Sequence, residues 1–171
     1  MRAAFDPSRD RDFLVHAHWA LYVENYLEGF HIPFVHPALD RAVDYASYGG
    51  EIRRYANLQL AHDRDGRVAA RYWWVFPNLM LNFYPWGLSL NLVQPLDLDR
   101  TRVTFRSFVS DPSRLETGAG AGLDRVEAED EAIVQAVQRG VRSRLYRRGR
   151  YSPTRERGVH HFHRLLAEFL G

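Results

Sequence analysis

Two histidines five positions apart, beside two carboxylates on an otherwise apolar stretch, are the residues of this 171-residue sequence whose types and spacing could do chemistry. The stretch reads Trp19-Ala-Leu-Tyr-Val-Glu24-Asn25-Tyr-Leu-Glu28-Gly-Phe-His31-Ile-Pro-Phe-Val-His36-Pro. It has the form of a metal half-site. Ala20, Val23, Leu27, His31 and Phe34 recur at spacings of three and four, so they are expected on one helical face, with Glu28 one turn before His31. A metal-bound imidazole commonly donates its second ring N–H to a carboxylate, which fixes the tautomer, and Glu28 is placed for that task. On one straight helix His31 and His36 would diverge by about 140°. Pro33 removes the difficulty, because it biases Ile32 away from the helical region and is expected to end or kink the helix near His31.

Two imidazoles and one carboxylate on one face of an octahedron leave positions open for oxygen and water, the ligand set of many ferrous oxygenases. The carboxylate must come from elsewhere in the chain. The run 124–141 has helical periodicity, with Val126, Asp130, Ile133, Val137 and Val141 on one stripe with Val134. Asp130 therefore falls on the buried side, Glu129 and Glu131 are expected to face solvent, and Glu127 is a rival ligand. A carboxylate on an apolar face is costly unless a cation or metal offsets it.

These residues carry a resemblance to a known family. Glu24-Asn25, Glu28, His31 and His36, followed by Glu129-Asp130 and Gln138-Arg139-Gly140, are similar to the catalytic domain of the Rieske non-heme iron oxygenase α subunit. The likeness extends through Pro77-Asn78, Asn82, Asn91 to Pro95, Gly149 to Pro153 and His160-His161-Phe-His163, and points to the choline monooxygenase and quaternary-amine branch. The resemblance implies that His31, His36 and Asp130 ligate a mononuclear Fe(II). It implies that Glu28 relays electrons toward His31, at a position where the family more often has Asp, and that Asn25 lies close to the iron. It implies a helix-grip fold (START/SRPBCC-like), a homotrimer, O₂ as co-substrate, and NAD(P)H as electron source through a reductase.

Composition sets a counterweight. A Rieske [2Fe–2S] centre needs two Cys and two His, and the sequence has no Cys. The cluster is therefore expected from a missing domain or a partner such as a ferredoxin, with residues 1–14 as the remnant of an interdomain connector and 1–171 as a single catalytic domain. A zinc-dependent hydrolase and a non-catalytic ligand-binding domain with a vestigial metal site are the alternatives, since two His and an Asp also suit zinc. At 46% hydrophobic residues and a net charge of +2, with every basic side chain an Arg, the chain has the balance of an ordinary cytoplasmic domain. No stretch suits a membrane span. The Arg-rich segment 139–157 lacks a nucleic-acid-binding module, and no nucleic acid partner is expected.

Between the two ligand segments the period alternates, and 48–61, 68–76, 79–84, 88–95 and 103–110 read as strands, with 63–66 as a hairpin turn. The order helix, meander, two helices predicts an α+β fold: an antiparallel sheet wrapped around a long C-terminal helix at 152–170. His160, His161 and His163 on that helix read as packed or surface residues, and His62 as exposed. Trp74 and Phe76, then Phe83 and Trp86, are the candidate substrate wall for a quaternary amine or an aromatic ring, since cation–π contact and apolar packing use the same side chains.

Overall fold

The computed structural model describes residues 2–171. Eight strands form one antiparallel sheet: β1 (Ala4–Phe5), β2 (Arg11–Val15), β3 (Gly49–Arg53), β4 (Ala56–His62), β5 (Val68–Val75), β6 (Leu79–Tyr84), β7 (Gly87–Pro95) and β8 (Thr101–Val109). The order across the sheet is β1-β8-β7-β6-β5-β4-β3, with β2 also paired to β8. Helices α1 (Trp19–Leu27), α2 (Ile32–Val35) and α3 (Pro37–Ala42) precede β3, and α4 (Leu123–Val141) and α5 (Arg157–Leu170) follow β8. This is the expected α+β helix-grip layout.

Alternation builds the sheet. In β4, Asn57, Gln59 and Ala61 are buried while their neighbours are half-buried, so one face turns toward the helices. Register carries that face across the sheet: Asn57 opposes Trp74, Trp74 opposes Met80, Met80 opposes Asn91, and Asn91 opposes Phe105. The β4–β5 turn depends on Gly66 at φ +78° and on Asp63, whose Oδ1 accepts the backbone N–H groups of Asp65 and Arg67 at 3.0 and 2.8 Å. Trp74, Met80, Val93 and Val103 on the sheet meet Val23 and Leu27 of α1, Val134 of α4, and Val159, Phe162 and Leu165 of α5 in one core. Trp74 and Phe162 pack edge-on with ring centroids 5.5 Å apart.

Several boundaries differ from the sequence expectation. The run 48–61 is two strands, since the chain turns at Arg54-Tyr55 between β3 and β4. The final helix begins at Arg157, because 152–156 forms a turn in which the Glu156 carboxylate accepts the Ser152 N–H at 2.6 Å. Of the expected connector, residues 4–5 form β1 and residues 11–14 most of β2, both paired to β8. Helix α1 stops at Leu27, four residues short of His31, and Phe34 lies outside the apolar stripe at 82% exposure. In α4 the buried ridge runs through Glu127, Val134 and Gln138, while Val137 is 42% exposed. That rotation has a polar cause: Gln138 Oε1 accepts the His18 N–H at 2.9 Å, and Glu127 accepts a tyrosine hydroxyl. His62 is half-buried. Among the described residues no helix is long and apolar enough to cross a membrane.

Candidate metal centre

The end of α1 positions the first histidine. Glu28 is its C-cap in extended conformation (φ −123°, ψ 143°), and its Oε2 accepts the backbone N–H groups of Phe30 and His31 at 2.7 and 3.1 Å. The other oxygen, Oε1, accepts the His31 Nδ1–H. The carboxylate is thus anchored by backbone at one oxygen and orients the imidazole with the other. The expected Glu28–His31 pair forms, but across an irregular turn rather than along a helix. Gly29 is required there, since a Cβ would lie 2.3 Å from the Tyr48 ring.

Pro33 starts a helix rather than ending one. It occupies the first turn of α2, where its missing N–H has no partner to lose, and His31 and His36 are the N-cap and C-cap of that four-residue helix. The two rings lie 5.1 Å apart at 76°. His36 is 1% exposed.

Helix α4 brings the carboxylate. Asp130 Oδ1 lies 3.0 Å from His36 Nε2 and 3.5 Å from His31 Nε2, and it accepts the Asn25 Nδ2–H at 2.6 Å. One donor atom from each of His31, His36 and Asp130 falls within 4.8 Å of the others; among the described residues no other such group of three occurs. The remaining nitrogen of His36, Nδ1, donates to Glu129 Oε2 at 2.8 Å, and Glu129 Oε1 pairs with Arg125 Nε at 3.0 Å. Each imidazole is held at Nδ1 by an acceptor-only carboxylate, which leaves Nε2, facing the aspartate, as the nitrogen that a metal could take in place of its proton. This donor set fits a divalent ion. Burial pulls the His36 pKa down, but hydrogen bonds to Asp130 and Glu129 outweigh it and raise the value overall. The hydrogen bond from His36 holds Glu129 below the usual carboxylate range. Glu129 was expected to face solvent; a helical wheel of α4 alone cannot register His36, which arrives from α2.

A cavity of about 110 Å³ adjoins these residues. Its walls include Tyr22 and Tyr26 of α1, Tyr48, Tyr72 of β5, Tyr84 of β6 and Phe105 of β8, with Asn82, Ser89 and Asn91 among the polar positions. Burial pushes the phenols of Tyr22, Tyr26, Tyr48, Tyr72 and Tyr84 above the ordinary tyrosine range, so they remain hydroxyl donors. The candidate wall of Trp74, Phe76, Phe83 and Trp86 is corrected. Trp74 shares an inner face with Tyr72 but lies further along β5, in the core against Phe162. Phe76 packs on Phe169 with centroids 4.9 Å apart. Phe83 has the opposite parity and is 40% exposed, and Trp86 is buried beneath Gly120, whose carbonyl accepts its indole N–H at 3.3 Å.

The missed residues had two signals. Tyr22 and Tyr26 share one face of α1 with the expected Asn25, by their three- and four-residue spacing. Asn82, Ser89 and Asn91 are polar at inward strand positions, which suits a cavity lining better than a core. Glu127, the rival ligand, is 6% exposed and does not join the three; both its oxygens accept from the Tyr22 hydroxyl, at 2.9 and 2.8 Å. Burial, with the charge of Asp130 added, raises its pKa well above the usual carboxylate range. The C-terminal histidines serve locally: His163 Nε2 lies 2.7 Å from Glu24 Oε1, and His161 packs on Trp74.

Comparison with known proteins places this fold and site in a class. Residues 44–171 match the ring hydroxylating alpha subunit (catalytic domain) family, and the chain belongs to that family of Rieske oxygenases. The matched span contains Asp130; His31 and His36 precede it. Choline monooxygenase of Arabidopsis thaliana, a chloroplastic protein, is 34% identical over 172 residues, covering 91% of this chain and 40% of the relative. The carnitine monooxygenase oxygenase subunit of Escherichia coli K12 is 26% identical over 174 residues, covering 89% of this chain and 46% of the relative. The chain thus spans less than half the length of these relatives. Among solved structures, the quaternary ammonium Rieske monooxygenase CntA superposes with a TM-score of 0.81 at 21% identity, over 98% of this chain and 49% of that one. Dicamba monooxygenase gives 0.58 at 16% identity, over 95% and 59%.

Proposed function

We propose that this chain is the mononuclear-iron portion of an oxygenase that inserts oxygen from O₂ into a small organic amine, with His31 Nε2, His36 Nε2 and an Asp130 oxygen as the iron ligands. The observation that carries this reading is the convergence of those three donors with each imidazole held from behind by a carboxylate. A ferrous ion bound there would supply the O₂ binding and redox chemistry. The protein's own residues do the rest. Glu28 and Glu129 fix the imidazole tautomers, Asn25 holds Asp130 in place, and the tyrosine walls exclude water and orient the substrate beside the open side of the site.

The electron supply lies outside these residues. With no Cys in the sequence, the ligand set of a Rieske cluster is not within it. The family resemblance makes Glu28 the residue through which electrons would enter, and its carboxylate ties the His31 ring to the backbone of the 28–31 turn, which suits that role. Inter-subunit electron transfer is described for a quaternary ammonium Rieske monooxygenase of the same fold. A homotrimer, with a neighbouring cluster fed by NAD(P)H through a reductase, is the corresponding arrangement here.

Anaerobic titration with Fe(II), followed by metal analysis, tests this. The intact chain is expected to retain about one iron per chain, whereas His31→Ala, His36→Ala and Asp130→Ala each lose it while keeping the native far-UV spectrum. Retention of zinc with rejection of Fe(II) would overturn the reading in favour of a hydrolase. Iron uptake unchanged in the three variants would overturn the ligand assignment.

A further inference from the structure

A second pocket, of about 280 Å³, shares only Tyr48 with the lining of the metal cavity. Thr154, Arg155, Arg157 and Gly158, from the segment that opens α5, line it together with Asn57 of β4, and no Asp or Glu is among its lining residues. The carboxylates next to those residues in the chain are engaged elsewhere: Glu28 with His31, Glu51 with Arg53, and Glu156 with the Ser152 N–H at 2.6 Å. Arg155 lies over the Tyr45 ring, 4.5 Å from its centroid, and donates to the Tyr48 carbonyl at 3.4 Å; among the described residues neither it nor Arg157 has a carboxylate within ion-pair distance. The pocket is therefore electropositive.

The start of α5 adds donors to that charge. Glu156, its N-cap, gives no side-chain cap, and the first bonded amide is that of His160, which donates to the Glu156 carbonyl at 3.0 Å. The N–H groups of Arg157, Gly158 and Val159 have no partner within the helix, and the peptide dipoles of 14 residues leave a partial positive charge at that end. Gly158 lets this turn close on β4, since a Cβ there would lie 2.5 Å from Asn57 Nδ2. Asn57 supplies an independent pointer to a ligand. It is 3% exposed, it lines the pocket, and its Oδ1 has no hydrogen-bond partner. Buried side-chain amides are normally bonded, and this one stands at the head of an uncapped helix.

We propose that this pocket is a binding site for a phosphate group, free or carried by a small organic molecule, held by the first N–H groups of α5, the guanidinium groups of Arg155 and Arg157, and Asn57 Nδ2. These donors come from a helix end, two side chains and a strand, so an anion with oxygens in more than one plane meets more of them than a planar carboxylate does. A hydrogen phosphate also carries a hydroxyl, the donor that Asn57 Oδ1 lacks. The volume is close to the lower end of small-molecule pockets, roughly 300–1,000 Å³, which leaves room for a short organic tail. The site needs no metal and stands apart from the oxygenase reading.

Calorimetric titration of the full chain without added metal tests this, with inorganic phosphate, glycerol phosphate and acetate as separate titrants and ionic strength held constant with chloride. Saturable phosphate binding is expected, with acetate weaker by about 10-fold or more. Tighter binding of glycerol phosphate than of inorganic phosphate assigns an organic phosphate, and equal binding assigns the free ion; both sustain the site. The paired substitution Arg155→Gln and Arg157→Gln is expected to weaken phosphate by about 10-fold or more. Asn57→Asp, which brings its own carboxylate to the start of α5, should abolish phosphate binding while keeping the native far-UV spectrum. The Arg pair decides the matter by itself if the Asn57 variant does not fold. Acetate bound as tightly as phosphate, no saturable phosphate binding in the presence of chloride, or phosphate affinity unchanged by the paired Arg substitution overturns the proposal.

Discussion

The imidazole of His36 is gripped at both nitrogens by one helix: Nδ1 donates to Glu129 Oε2 at 2.8 Å and Nε2 lies 3.0 Å from Asp130 Oδ1, although 93 and 94 positions separate them in the chain. Adjacent residues on α4 diverge by about 100°, so they can bracket a ring that enters edge-on from α2. Glu129 itself is tied to Arg125 one turn earlier. Removing its charge while keeping its shape should loosen the ring without unfolding the protein. Glu129→Gln is expected to weaken Fe(II) binding about 10- to 100-fold, measured by competition with a chelator, with the melting temperature nearly unchanged. Unaltered affinity would show that the contact is incidental.

Trp74 and Tyr72 lie on one strand face but serve different parts of the molecule. Trp74→Ala removes a fully buried ring packed on Phe162 and is expected to cost about 3–5 kcal/mol of stability, read from denaturant unfolding. Tyr84→Phe keeps the ring that lines the cavity and should leave stability within about 1 kcal/mol. A Trp74 variant of native stability would place that residue outside the core.

The His31–His36 pair and its aspartate were legible because metal ligation restricts residue types severely, and Pro33 marks a local break whatever its sense. The geometry around them was less legible. Periodicity places Asp130 inside α4 but cannot report that polar residues, Glu127 and Gln138, occupy the buried ridge because α1 and the 16–18 segment supply their partners. Strand parity gives the face of a side chain and not its position along the sheet. Trp74 and Tyr72 share that parity, while one fills the core and the other borders the cavity. The aromatic residues of α1 give no cavity signal by themselves, because that cavity exists only when β5, β6 and β8 close on them.

Glu127 couples folding to pH. Burial raises its folded-state pKa above the unfolded value, so between the two the native state binds more protons than the unfolded one. Its contribution is therefore present in full below the unfolded pKa and is lost as pH rises through the folded pKa. In the metal-free chain, Glu127→Gln removes this loss. Its melting temperature is expected to exceed that of the intact chain by about 2–4 °C near neutral to mildly alkaline pH, with the difference shrinking as pH falls toward the ordinary carboxylate range. A difference that grows on acidification would reverse the sign and contradict the assignment of a proton-retaining carboxyl.

The most direct test of the central claim is anomalous diffraction at the iron absorption edge from crystals prepared anaerobically with Fe(II). A single peak is expected about 2.0–2.2 Å from His31 Nε2, His36 Nε2 and an Asp130 carboxylate oxygen. An iron peak elsewhere, or crystals that bind no iron while these three side chains keep their positions, would contradict it.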